Sequence, residues 1–277
     1  MEDKNRAQAT EKNWTEDRSF VQGRAFDLSQ ADSDDPNLHL SKMDRRSRVT
    51  VGVIGGILLL LILGVFLWAE SYYRADAEAV AAVEAGRQVS IWQKNLIALG
   101  DEEADTAFVF YPGGMVEESA YLPLLQQVSE QGVLCLVASM PFHLAVLDKE
   151  ACEELMRYYP EVETWYIGGH SLGGAMAAEY AAEHEDLFAG VVLLAAYPTL
   201  PTDLPVLSVY GDRDQVLDRT KYADAPWGSG VAELVLAGGN HAQFGNYGVQ
   251  KGDGEAAITR EEQQTAAAEA ILEFIGD

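Results

Sequence analysis

From residue 88 onward, short apolar runs alternate with stretches in which apolar residues recur every three or four positions. Val89–Trp92, Leu96–Leu99, Ala107–Tyr111, Val133–Ala138, Thr164–Ile167, Gly190–Leu194, Val206–Tyr210 and Ala232–Leu236 predict strands. Tyr121–Gln131 places Leu122, Leu125 and Val128 on one face and predicts an amphipathic helix. Lys149–Tyr158, Ser171–Glu183 and Thr265–Ile275 predict further helices. Strands separated by helices imply an α/β fold, a mostly parallel sheet with helices on both faces. Ligands of such sheets bind beyond the carboxyl ends of the strands.

The pattern before residue 88 is different. Val49–Ala69 carries no charge and is dominated by Ile, Leu, Val and Gly. Its length matches the roughly 20 residues that a helix needs to cross a hydrocarbon core. A secretory signal core is usually shorter and nearer the start of a chain, so an uncleaved anchor is expected. Lys42, Arg45, Arg46 and Arg48 precede the span, and Glu70, Arg74, Asp76 and Glu78 follow it. The excess of basic residues on the first side predicts a cell-membrane protein, single-pass, with a cytoplasmic N-terminus and an extracytoplasmic main domain. Residues 1–48 read as a polar, disordered tail, 49–69 as the transmembrane helix and 70–87 as a juxtamembrane helix or stalk that could equally pack on the domain. Residues 88–277 read as the α/β domain.

Charge narrows the partners. The net charge is −25 and is unevenly spread. Residues 1–48 are near neutral, and residues 70–277 carry a net of about −24. Such a surface repels nucleic acid and anionic headgroups, so no nucleic-acid partner is expected. The two cysteines, Cys135 and Cys152, lack the spacing of a metal or redox motif and read as buried free thiols.

One stretch carries chemistry. Gly169-His170-Ser171-Leu172-Gly173 follows a predicted buried strand and opens a predicted helix. A serine between glycines at a strand-to-helix junction has its hydroxyl lifted above the sheet beside free backbone N–H groups. A serine hydroxyl needs a base to take its proton, and the base needs an orienting carboxylate. Two carboxylates follow the strand Val206–Tyr210, Asp212 and Asp214, with Asp214 favoured and Asp212 the alternative. His241, in the loop after the last strand, is the candidate base. His143 precedes the serine, His170 should point away from its hydroxyl, and His184 ends the following helix. The oxyanion of an acyl-transfer reaction would meet the Leu172 N–H and a second donor from Pro112-Gly113-Gly114-Met115, either Gly114 or Met115. This chemistry needs no metal and no organic cofactor.

Phe110-Tyr111-Pro112-Gly113-Gly114, Met140–Ala145, Gly169–Gly174 and Gly238–Gly245 stand in the order found in the compact bacterial α/β-hydrolases often labelled fold 5 and related to dienelactone hydrolases, and residues 88–277 resemble that family. The resemblance implies a Ser–Asp–His hydrolase fold, here Ser171, Asp214 and His241, and carries no settled substrate; the triad chemistry leads to the expectation of an ester or related acyl bond in a small molecule. The 11 residues Ala195–Pro205, where larger relatives insert a cap, leave no room for one. An open site walled by Met115, His143, Tyr197, Phe244 and Tyr247 is therefore expected. An acyltransferase, or a tethered binding or sensory domain on the same fold, are the alternatives. The oligomeric state is not legible from the chain.

Overall fold

Strand β3 (Thr106–Tyr111) shows how the domain is layered. Ala107, Val109 and Tyr111 point into one apolar cluster with Ile167, Ala177 and Tyr180. Phe108 and Phe110 point into a second cluster with Leu122, Leu125 and Ile271. All five side chains are fully buried. A strand covered on both faces has no polar side to show, which is why it reads as a continuous apolar run. The computed structural model describes residues 44–86, 89–92 and 96–276. The tail expected over residues 1–48 lies, up to residue 43, outside the described residues.

Among the described residues the sheet has eight strands. Besides β3 they are β1 (Val89–Trp92), β2 (Leu96–Leu99), β4 (Leu134–Ala138), β5 (Thr164–His170), β6 (Gly190–Leu194), β7 (Val206–Gly211) and β8 (Val231–Leu236). Their order is β1-β2-β4-β3-β5-β6-β7-β8. β2 runs antiparallel to both β1 and β4, and the pairs from β4 through β8 are all parallel. Register aligns the carboxyl ends: Tyr111 lies opposite Gly169, His170 opposite Leu194, Leu194 opposite Val209 and Gly211 opposite Leu236. The loops after β3, β5, β6, β7 and β8 therefore leave from one edge.

Helices α3 (Leu122–Ser129) and α7 (Arg260–Gly276) cover one face, and α4 (Ala151–Tyr158) and α5 (Leu172–Glu183) the other. The chain from Leu194 to Val206 contains no helix, so no cap intervenes between β6 and β7. The helix expected over Tyr121–Gln131 is split into a 3-10 turn, Glu118–Tyr121, followed by α3. Pro123 near the start of α3 has no N–H to continue a hydrogen-bonded helix from before it. The closing helix is longer than expected because Thr259 caps it: its backbone N–H and hydroxyl both donate to Glu262, and its Oγ1 accepts the Glu262 N–H. A short helix, α6 (Arg219–Ala223), has no apolar repeat in the sequence and is set by Asp218, which accepts from the Thr220 and Lys221 N–H groups. Cys135 and Cys152 are buried and unpaired. Burial pushes the Cys152 thiol up to about 11.

The chain divides at Leu63/Gly64 into two compact units. Helix α1 (Arg45–Ala69) has a stretch, Arg45–Trp68, that is long and apolar enough to cross a membrane, with a mean hydropathy of 2.8 and none of it buried. Beyond it, residues 72–80 are part of the domain rather than a free stalk. Tyr73 forms a parallel bridge with Val116, Asp76 N–H donates to the Asn246 carbonyl, and Tyr73, Ala75 and Val80 pack on the core. Helix α2 (Ala77–Gly86) follows.

Candidate active site

The junction of β5 and α5 holds Ser171 at φ 52° and ψ −123°. A non-glycine residue held there stores strain of order 1–3 kcal/mol, which persists where the surroundings over-determine it. They do so here. Ser171 N–H donates to the Leu194 carbonyl at 2.9 Å, and its own carbonyl accepts from Ala175 N–H at 3.1 Å. A Cβ on Gly169 would collide with the Tyr111 carbonyl, and one on Gly173 with the carbonyls of both Tyr111 and Pro112. The two glycines therefore let α5 sit directly on the backbone of β3.

A cleft of about 520 Å³ opens beside this turn, lined by Ser171, Leu172, Met176, Val216, Leu217 and His241 among others. His241 is 1% exposed. Its Nδ1 lies 2.8 Å from Asp214 Oδ2. The carboxylate can only accept, so Nδ1 carries the proton and the Nε2 lone pair is left free. Nε2 is buried and has no hydrogen-bond partner among the described residues. An unpaired buried polar atom costs about 1–3 kcal/mol, so its retention in a cleft shared with a strained serine points to function. Asp214 is held in turn by the Val216 and Leu217 N–H groups, each 2.8 Å from Oδ1. Asp212 lies elsewhere: its Oδ1 accepts the Gly238 N–H at 2.7 Å and ties the two loops together without meeting the histidine.

The glycine loop after β3 runs beside Leu172. A Cβ on Gly114 would stand 2.9 Å from Leu172 Cδ2. Of the two candidate donors in this loop, Met115 N–H is already given to the His143 carbonyl at 2.8 Å. Gly114 N–H and Leu172 N–H make no such bond among the described residues.

Behind the turn lies a polar chain that the sequence reading missed. His170 is 1% exposed, and burial, then the neighbouring His241, holds its pKa well below the usual histidine value. Its Nε2 contacts the His241 carbonyl at 3.1 Å, and its Nδ1 contacts the Tyr121 hydroxyl at 2.9 Å. A carbonyl only accepts, so Nε2 carries the proton and Nδ1 accepts from Tyr121. Tyr121 Oη accepts in turn from Gly113 N–H at 3.0 Å. Every donor meets an acceptor, and the chain joins the glycine loop to the backbone of His241. Asp253 makes a second link. Its Oδ2 accepts from Ala242 N–H at 2.8 Å and its Oδ1 from Gln215 N–H at 3.3 Å, next to His241 and Asp214 respectively. The signal in the sequence was the run of polar residues with no period around Asn240 and Gly248–Gly254, but nothing in it says where those side chains point.

Of the expected pocket walls, Tyr197 lines the cleft. Phe244 and Tyr247 are instead buried in the core beside α7, because the Ala242–Phe244 turn rotates them inward. His143 lies against Tyr72 and Glu118, the Met115 backbone is bonded to His143 and Tyr73, and neither residue is among those that line this cleft. The apolar walls come from Met176, Val216 and Leu217, which sequence reasoning did not name.

With this geometry in view, the kinship is clear. A model of the alpha/beta hydrolase family matches residues 107–265, and the chain belongs to that family. It is 43% identical over 68 residues to a Nocardia uniformis subsp. tsuyamanensis protein named "Putative esterase NocK". That match covers 22% of this chain and spans about a fifth, 20%, of the relative's length. Among solved structures, Est1E from Butyrivibrio proteoclasticus with ferulic acid bound is similar at 17% identity, over 69% of this chain and 100% of that one, with a TM-score of 0.50. A monoacylglycerol lipase from Paleococcus ferrophilus is similar at 14% identity, over 66% of this chain and 100% of that one, with a TM-score of 0.51. At these identities the likeness to the two structures is one of fold. The family is that of the α/β-hydrolases, and the fold agrees with it.

Proposed function

We propose that the protein is a membrane-anchored serine hydrolase that cleaves an ester or related acyl bond through an acyl-enzyme. The observation that carries the reading is the free, buried Nε2 of His241, oriented by Asp214, in the cleft that Ser171 lines. In the reaction, His241 Nε2 takes the proton of Ser171 Oγ as that oxygen bonds to the substrate carbonyl carbon. The carbonyl oxygen gains the negative charge and is met by the Leu172 and Gly114 N–H groups. The tetrahedral species collapses, the C–O bond to the alcohol breaks, and His241 returns its proton to the departing oxygen. Water then attacks the acyl group with His241 again as base, and the acid leaves with Ser171 restored.

The domain organisation belongs to the same reading. Residues 1–48 form a cytoplasmic tail, residues 49–69 cross the membrane, and the hydrolase domain lies on the extracytoplasmic side. The uniform apolarity of α1 and the basic cluster before it support this arrangement. Hydrolysis of a series of p-nitrophenyl esters by the full-length chain in detergent, beside Ser171→Ala, tests the chemistry. Turnover is expected from the wild type and loss to background from the variant. Retained turnover in Ser171→Ala contradicts it.

A further inference from the structure

We infer that the edge of the domain formed by residues 141–147 and 247–251 is seated on the bilayer surface, and that the cleft takes its acyl substrate, a neutral or zwitterionic ester, from the membrane itself. The inference rests on the anchoring reading above and adds to it a membrane-facing surface and a substrate class.

Three observations converge on the segment that follows the apolar span. The first is reach. Tyr72 stands four residues beyond Trp68, so the intervening chain spans at most about 14 Å. The headgroup layer is itself about 5–7 Å deep on each side. Whatever path the chain takes, Tyr72 lies in or just outside that layer.

The second is attachment. The Tyr72 and His143 rings lie 4.0 Å apart, which places the 141–147 loop beside Tyr72. Tyr73 Oη accepts from Lys251 N–H at 3.1 Å, and the Tyr73 and Tyr247 rings are 5.6 Å apart, which places the 247–251 loop there as well.

The third is composition. These two loops carry Phe142, Val146, Leu147 and Val249, exposed by 60%, 57%, 56% and 89%. Phe142 and His143 both hold positive φ, 52° and 56°, a conformation that L-residues avoid. The loop is thus held with Phe142 outward by its surroundings rather than by local preference. Exposed apolar side chains on two loops that both attach to the Tyr72–Tyr73 segment mark an interaction surface, and the partner within reach of that segment is the lipid into which the same chain runs.

The surface adjoins the chemistry. Tyr73 N–H donates to the Met115 carbonyl, Met115 N–H donates to the His143 carbonyl, and Gly114 lies against Leu172 in the cleft. Walls of Met176, Val216 and Leu217 suit an acyl chain. The net charge of about −24 on residues 70–277 disfavours anionic headgroups and so selects neutral or zwitterionic ones.

The test uses the full-length chain in phosphatidylcholine nanodiscs, with single spin labels at Val146, Val249 and Leu60. Expected are labels at 146 and 249 that collide with dissolved oxygen more than with a water-soluble nickel chelate, as the Leu60 label does. A water-exposed pattern at both 146 and 249 with Leu60 embedded overturns the seating and leaves the anchoring intact. A water-exposed Leu60 overturns the anchoring and this inference with it. In parallel, Val146→Glu with Leu147→Glu should lower hydrolysis of a bilayer-resident monoacylglycerol at least tenfold while changing hydrolysis of water-soluble p-nitrophenyl acetate less than twofold. Equal effects on both substrates, or none on either, contradict the substrate assignment.

Discussion

Two loops meet at Ser171, and they are held in different ways. The loop carrying His241 is braced by side chains from within the domain. Gln263 accepts from Asn240 N–H and donates to its carbonyl, Asn240 Nδ2 donates to the Gly254 carbonyl, and Asp253 takes Ala242 N–H. The glycine loop 112–117 is held mostly by backbone bonds to segments outside itself, Tyr73 on one side and His143 on the other. The first arrangement fixes a base against its acid with side chains of the domain's own closing helix and loops. The second makes the position of the proposed oxyanion donor depend on the segment that follows the apolar helix. Polar networks with every member satisfied rigidify a site, whereas an element tied to a terminal segment moves with whatever holds that segment.

Substitutions can break each side of this comparison. The largest effect is expected at the acid. Asp214→Asn keeps an acceptor for the Val216 and Leu217 N–H groups but presents a donor to His241 and favours the wrong tautomer. A fall in kcat of about 10⁴ is expected. Asp212→Asn, which only ties Gly238, should cost less than tenfold, and steady-state kinetics of the pair separates the two aspartates. Next comes the glycine loop. Gly113→Ala places a Cβ 2.7 Å from both His170 Nδ1 and Tyr121 Oη. The loop must shift, and displacement of the donor should lower kcat about 10²-fold with KM little changed.

On the base side, Asp253→Ala frees the Ala242 and Gln215 N–H groups. A loss of about 1–3 kcal/mol in a denaturant titration is expected, with a roughly tenfold fall in kcat. Asp253→Asn, which retains an acceptor, should recover most of both.

The smallest effect is pH dependence through His170. Its folded pKa is depressed by burial, so the unfolded chain binds the extra proton first as pH falls. Its contribution is complete above about pH 6.5 and is lost as pH drops from there toward the folded value, with a limiting slope of about 1.4 kcal/mol per pH unit. Denaturant midpoints between pH 7.5 and 5.5 should fall in the wild type, and His170→Gln should flatten that fall.

What could be read from the chain follows from period. The central strands read as unbroken apolar runs and helix α3 carries a repeat of buried positions, and the serine, the aspartate and the histidine each follow a strand end at one edge of the sheet. Asp214 could be separated from Asp212 only by its spacing from the strand, and the structure gives the two distinct partners. The loops have no period to read. Phe244 was expected among the pocket walls, yet it lies in a 3-10 turn and is fully buried. Tyr73 meets Lys251 across a separation of 178 residues, which no local pattern encodes. Tyr121 and His170 meet across a separation of 49 residues, which again no local pattern encodes.

The most direct test of the central claim is where an activated serine lies. The full-length chain would be treated with a fluorophosphonate, digested, and the adduct located by mass spectrometry, with His241→Ala alongside and its fold checked by circular dichroism. The account predicts one adduct, on Ser171, that disappears in the folded His241→Ala variant. An adduct on another residue, labelling of Ser171 that persists without His241, or a folded wild-type protein that takes no label contradicts it.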